Sequence, residues 1–207
     1  MTLPFTPSGT VYGTLMNFAS EHAALAAQMH EPPYQAPPRA PVLYVKPANT
    51  WSRSGDSIVV PAGHEEVQVG ATLALVMRAP GEVAGCVLAN DLSLPHASFF
   101  RPAVPQRCRD GFLVLGDVLL PGADPATLSI EVRINGALRQ TVRFDGTLVR
   151  TPAKLVADVG EFMTLGAGEL LMLGCEFDKP RARAGDTIEL RAEGLGVLRN
   201  TLVAEAA

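Results

Sequence analysis

The sequence predicts a predominantly β, mixed α+β fold with a few short helices, in one domain over residues 1–207. Three observations carry this. TLSIEVRINGALRQTVRF alternates Leu128, Ile130, Val132 and Ile134 with Ser129, Glu131 and Arg133, then places Asn135-Gly136 where a type I′ hairpin turn needs φ > 0. VQVGATLALVM, residues 67 to 77, is a nearly continuous apolar run, the mark of a strand buried on both faces. Only two stretches carry helix signals, Phe18 to His30 and the segment opened by Thr151-Pro152.

In chain order, GTVYGTLM (9–16) predicts a strand, and Asn17 or Ser20 a cap for the helix after it. Residues 31–41 hold five prolines and predict an extended connection. PVLYVKP and SIVVP predict strands on either side of a turn at Ser54-Gly55-Asp56. Gly70 predicts a bulge or a close backbone approach. From Thr151, the apolar positions Leu155, Val156, Val159, Phe162 and Met163 predict one buried helix face, ended by Gly166 and Gly168. ELLMLG predicts a strand leading to Cys175, and DTIELRAEGLGVLRNTLVAE a closing hairpin that turns near Gly194 to Gly196.

Composition narrows the class. Nearly half the residues are apolar and 18% are charged, which argues for a globular chain. A net charge of −4 gives no reason to expect nucleic acid or an anionic membrane as partner, while leaving room for a locally basic pocket. Cys86, Cys108 and Cys175 are odd in number and lack CxxC spacing, so reduced thiols in a cytoplasmic protein are expected. The start MTLPFTPSGT carries no basic, apolar leader pattern, so no signal peptide is expected.

Chemistry is expected in Val87 to Asp117, where polar and charged groups sit between two apolar runs. Asp91 and Asp110 are candidate cation ligands, without an ExE or DxD beside them. Glu21 and His22 are either a solvated pair on a helix face or an acid/base pair lining a pocket. Lys46 is either a solvated strand end or a reach toward an anionic ligand. The four histidines, His22, His30, His64 and His96, form no HExxH pattern.

In order along the chain, GTVYGTLMNF, YVKPANTWSRSGD, VLANDLSLP, RDGFLVLG, INGALRQ, AGDTIEL and GLGVLRNTLV resemble the blocks of the fumarylacetoacetate hydrolase family, over residues 9 to 203. VGATLAL, ANDLSLP and CRDGF are similar to its isomerase/decarboxylase branch in 4-hydroxyphenylacetate catabolism. The resemblance implies a fumarylacetoacetase C-terminal-domain-like β-roll. It also implies a decarboxylase/isomerase that removes CO₂ from 5-oxopent-3-ene-1,2,5-tricarboxylate and tautomerises 2-hydroxyhepta-2,4-diene-1,7-dioate through a dienolate. The implied partners are an anionic oxo-dicarboxylate or tricarboxylate and a homologous sister subunit or a second copy of the chain. In the family a divalent cation, Mg or Mn, chelates the 2-oxo acid.

Carried over position by position, the resemblance makes Asp91 a metal or substrate ligand, places Arg107 at a substrate-binding lysine, and makes Glu21, at a family histidine, or the neighbouring His22 the proton carrier; Lys46 and His96, which match no family ligand position, are further candidate substrate contacts. The family's ExE carboxylates fall on Gly70 and Thr72, an arginine on Pro95, and a threonine on Cys175. Three readings follow: a catalytic subunit in which basic groups replace the metal, a silent homologue that stabilises a metal-bearing sister chain, and a divergent acylpyruvate-type C–C hydrolase.

Overall fold

The computed structural model describes residues 2–33, 35–96 and 103–206. Among these residues, two sheets face each other across the main core. The larger has nine strands and is centred on Glu82–Asp91, which pairs antiparallel with Ala71–Ala79, Leu113–Leu115 and Val118–Pro121. Leu170–Met172, Val11–Leu15 and Val42–Lys46 extend it beyond Ala71–Ala79. The second sheet has five strands: Ala137–Arg143, Ser129–Ile134, Thr187–Ala192, Gly196–Ala204 and Ser57–Val60. Its last pairing is parallel and the others antiparallel.

Alternation builds the core. Leu73, Leu75 and Met77 pack toward Ile130, Val132, Ile188 and Leu190 of the second sheet. Ala74 and Val76, on the other face of the same strand, join Val87, Ala89, Leu113 and Leu170 in a separate cluster. The apolar run at 67–77 is therefore buried on both faces, as its composition predicts. The hairpin at Asn135-Gly136 also forms, with φ of 53° and 78° at those two residues.

The 67–77 run is not one strand. Val67–Gln68 pairs with Arg181–Ala182, and Ala71–Ala79 pairs within the large sheet. Between them Val69 donates to the Pro180 carbonyl and Gly70 accepts from the Asp91 N–H at 2.8 Å. The chain changes partners at Gly70, and a Cβ there would lie 2.2 Å from the Asp91 carbonyl oxygen. A close backbone approach is thus what the glycine permits.

The helices differ from expectation in their limits. The first runs only Ala19–Leu25, with a 3₁₀ turn at Gln28–His30. Neither Asn17 nor Ser20 caps it. Phe18 is the N-cap, and its phenyl ring has no acceptor to cap with; the residue is buried and bridges to Leu148. The Asn17 amide is spent elsewhere, donating to the Arg150 and Leu173 carbonyls and accepting from the Arg150 N–H. The helix Pro152–Gly160 starts as predicted, with the Thr151 hydroxyl accepting from the Lys154 N–H at 3.3 Å. It stops at Gly160, before Gly166, so Phe162 falls beyond it and is exposed. A third helix of one turn, Val104–Arg107, was not apparent from periodicity; four residues are too few to show one.

Gly70→Ala is expected to destabilise the protein by about 1–3 kcal/mol, because backbone rather than a side-chain tip must give way. Urea unfolding at pH 7 measures it, and a midpoint unchanged from wild type would contradict the close approach.

Candidate functional site

The strand Val42–Lys46 places Tyr44 and Lys46 two residues apart, hence on one face. Both reach Asp91, the last residue of the central strand. Lys46 Nζ lies 2.9 Å from Asp91 Oδ1. Arg107 Nη1 donates to Asp91 Oδ2 at 3.0 Å, and the Tyr44 hydroxyl donates a short bond to the same oxygen. The Arg107 guanidinium also stacks 4.6 Å from the centre of the Tyr44 ring. That ring lies against Gly13, where a Cβ would approach it to 2.0 Å.

Burial decides the electrostatics. Asp91 and Lys46 are wholly enclosed and Arg107 nearly so. Burial alone would favour the neutral acid at Asp91, but Lys46 and Arg107 outweigh it and hold the carboxyl below its usual range. Burial likewise opposes the Arg107 charge, and Tyr44 and Asp91 outweigh it, so the guanidinium keeps its proton. Lys46 is neither a solvated strand end nor open to the cleft. Beyond Asp91, its ammonium donates to the carbonyls of Arg107 at 2.5 Å, Phe112 at 2.9 Å and Leu92 at 3.3 Å. Three N–H donors meet that many acceptors and more, so the group is saturated.

Above this cluster opens a cleft of about 1060 Å³, lined among others by Glu21, Gln68, His96, Arg107, Arg139 and Lys179. With Arg181 and Asp178, its rim and walls carry four basic side chains against two carboxyls. A chain of net charge −4 thus holds a locally basic pocket. Glu21, in the first turn of its helix, is 2% exposed rather than solvated. Its Oε2 accepts the Met16 N–H at 2.6 Å, where Met16 has a left-handed φ of 58°. Burial raises the proton affinity of Glu21, with Lys179, the Met16 bond and Arg107 pulling the other way. His96 Nδ1 lies 3.0 Å from the Leu94 carbonyl oxygen, and burial lowers its proton affinity.

The candidates therefore separate. Glu21, His96 and Arg107 share the cleft; Asp91 and Lys46 lie beneath it, and His22 is half-buried outside the lining. Asp110 bonds the Asn49 amide at 2.7 Å, away from Asp91's partners. Cys175, raised to about 12 chiefly by burial, stays a thiol beside Gly70. Residues 97–102 of the expected active stretch lie outside the described residues. Sequence reasoning missed Tyr44 and Lys179. The Tyr44–Lys46 spacing was legible as a shared strand face, whereas Lys179 sits in an irregular segment without any periodic signal.

This β-rich frame with its cleft is that of a known class. The chain belongs to the fumarylacetoacetate hydrolase family: the model for the fumarylacetoacetate (FAA) hydrolase C-terminal domain matches residues 10–203. It is 38% identical, over 95% of its length and 48% of the relative's, to the 4-hydroxyphenylacetate degradation bifunctional isomerase/decarboxylase of Salmonella dublin. The homoprotocatechuate catabolism bifunctional isomerase/decarboxylase of Escherichia coli is 35% identical over the same shares. The chain spans about half the length of the curated relatives it matches.

Among solved structures, a 2-hydroxyhepta-2,4-diene-1,7-dioate isomerase from Mycobacterium marinum superposes with a TM-score of 0.79 at 22% identity, covering 99% of this chain and 78% of that one. A fumarylpyruvate hydrolase from Pseudomonas aeruginosa, solved with Mn²⁺ and pyruvate, gives 0.79 at 21% identity, covering 96% and 91%. At these identities the likeness is one of fold.

A divalent cation does not fit the donors gathered at this site among the described residues. Among the described residues no group of three or more His, Cys, Asp or Glu is gathered to hold one. Gly70 offers no side chain, and the buried Thr72 hydroxyl lies 3.4 Å from the Leu73 carbonyl oxygen. Asp91 already answers two cations and a phenol. Hard cations need several oxygen ligands, and one engaged carboxylate does not supply them.

Asp91→Asn leaves Lys46 and Arg107 buried without a counter-charge and is expected to cost about 3–5 kcal/mol at pH 7. The folded-state carboxyl is depressed, so its contribution is full above the unfolded value near pH 4 and is lost as pH falls through the folded value. Urea unfolding from pH 6 down to pH 2 should show this acid loss in wild type and a flatter limb in Asp91→Asn. Equal acid slopes would count against the charge balance.

Proposed function

We propose that the chain is a decarboxylase/isomerase subunit of 4-hydroxyphenylacetate catabolism, working in the cytoplasm on an anionic oxo-dicarboxylate or tricarboxylate. The observation that carries the reading is Glu21: a buried carboxyl, anchored by the Met16 N–H, that lines a basic cleft with Arg107. The relatives, bifunctional isomerase/decarboxylases of 4-hydroxyphenylacetate and homoprotocatechuate catabolism, support the reaction type.

The chemistry asks for two things. When the carboxylate leaves as CO₂, its bond pair moves through the conjugated double bond into the 2-oxo group and forms a dienolate. Arg107, kept protonated and rigidly stacked on Tyr44, stabilises that oxyanion without reorganising. Proton transfer to oxygen gives the 2-hydroxy-diene. For tautomerisation, the hydroxyl loses its proton and carbon gains one. Glu21, with its raised proton affinity, is the group suited to deliver it. His96, kept neutral by burial, can hydrogen-bond substrate without adding charge. Asp91 and Lys46 act one layer down, by fixing Arg107. A partner half is part of the proposal, since the relatives are twice as long.

The second reading, a silent homologue supporting a metal-bearing sister chain, is favoured by Gly70 and Thr72 in place of carboxylates and by the full engagement of Asp91. CO₂ release from 5-oxopent-3-ene-1,2,5-tricarboxylate, measured with the chain alone, with chelator, and with a sister chain, separates the two. Turnover by the lone chain that resists chelator is expected, and Glu21→Gln should lower the following tautomerisation of the 2-hydroxy-diene product, read by loss of its ultraviolet absorbance, about 10²–10⁴-fold. Silence of the lone chain, with sister-chain activity untouched by Glu21→Gln, would establish the scaffold reading instead.

A further inference from the structure

We propose that Lys179 is a substrate-binding residue, the cation that takes the carboxylate at the far end of the substrate from Arg107, held ready by a loose pairing with Glu21. This rests on the reading of the cleft as a site for a compound with two or more carboxylates. Such a compound needs a second cation; Arg181 is exposed and paired with Glu66, Arg139 is exposed to water, and Lys46 does not supply it. Its ammonium is enclosed and saturated by carbonyls and Asp91.

Lys179 has the opposite character. Its side chain is only 7% exposed and lines the cleft. Among the described residues, its ammonium has no hydrogen bond, and the carboxylate within ion-pair range is Glu21 Oε1 at 3.8 Å. That distance is too long for a hydrogen bond, so an incoming carboxylate can take the ammonium at little cost. The backbone around it is fixed. Pro180 accepts from the Val69 N–H at 2.8 Å, Asp178 accepts from the Gln140 amide at 2.9 Å, and the Lys179 N–H donates to Phe177 at 3.0 Å. A desolvated cation on a rigid segment is pre-organised for an anion.

The exchange has a consequence for Glu21. The charged groups around it are Lys179, Arg107 and Asp91. Once a substrate carboxylate occupies Lys179, Glu21 loses the neighbour that most favours its ionised form and gains an anion nearby. Binding thereby loads Glu21 with the proton that the tautomerisation step needs. Lys179 in this role couples recognition of the remote carboxylate to arming of the acid.

The test uses the full chain and two unreactive probes in calorimetric titrations at pH 7: heptanedioate, with two carboxylates, and heptanoate, with one. Wild type is expected to prefer heptanedioate by about tenfold or more, the worth of one charge-assisted bond. Lys179→Met should abolish that preference while leaving heptanoate binding within about twofold. Lys179→Arg should keep part of it and serves as the variant if Met at this position prevents folding. Glu21→Gln should act in the opposite sense and tighten heptanedioate, because the ammonium is released; a merely structural pair would weaken it. A preference kept intact in Lys179→Met, or heptanedioate weakened by Glu21→Gln, overturns the role of Lys179 and leaves the cleft reading standing. No preference in wild type overturns the carboxylate cleft itself, and Lys179 with it.

Discussion

The buried charge balance at Asp91 is the constraint on which the site depends. One carboxylate, without access to water, answers two cations and a phenol. Ions so enclosed are tolerable only when paired and hydrogen-bonded. Each member therefore fixes the others: Lys46 needs Asp91 and three carbonyls, Arg107 needs Asp91 and the Tyr44 ring, and Tyr44 needs the bare backbone of Gly13. The carbonyls that Lys46 binds belong to Leu92, Arg107 and Phe112, so a strand end, a one-turn helix and the entry to the next strand converge on one ammonium. Short irregular segments, weak in local structure, thereby hold a side chain at the floor of the cleft.

Above that floor the chemistry is set by unequal burial. Arg107 is locked and charged, whereas Glu21 is anchored through one oxygen and left free to exchange a proton. A fixed positive charge and a protonatable acid on one cleft are what a dienolate pathway asks of a protein. The division of labour is positional. Asp91 holds the guanidinium from below, and the cleft opens onto Arg107 from above.

Most of the fold was legible from the chain itself, because its strongest signals are local. The Asn135-Gly136 hairpin, the apolar run at 67–77 and the Thr151-Pro152 helix start depend on nearest neighbours and appear in the structure. Element limits were less legible, since they depend on partners distant in sequence. Asn17 is drawn away from its helix by Arg150 and Leu173, and the apolar run splits where Pro180 and Asp91 claim its backbone. At the site, residue types at motif positions pointed to Glu21, Asp91 and Arg107. They did not separate a lysine consumed inside the protein from one facing the cleft, because both read as an isolated Lys beside a Pro. Only burial and hydrogen-bond partners distinguish Lys46 from Lys179.

The close approach at Gly70 bears on any attempt to build a metal centre into this chain. A Cβ at that position would lie 2.2 Å from the carbonyl oxygen of Asp91, the residue that would have to share the ion. A designer would therefore have to move two backbone segments apart first, replace Thr72, and release Asp91 from Tyr44 as well. Each change made alone loses packing or a charge partner before any ligand is gained, so the redesign has to be made as one concerted set.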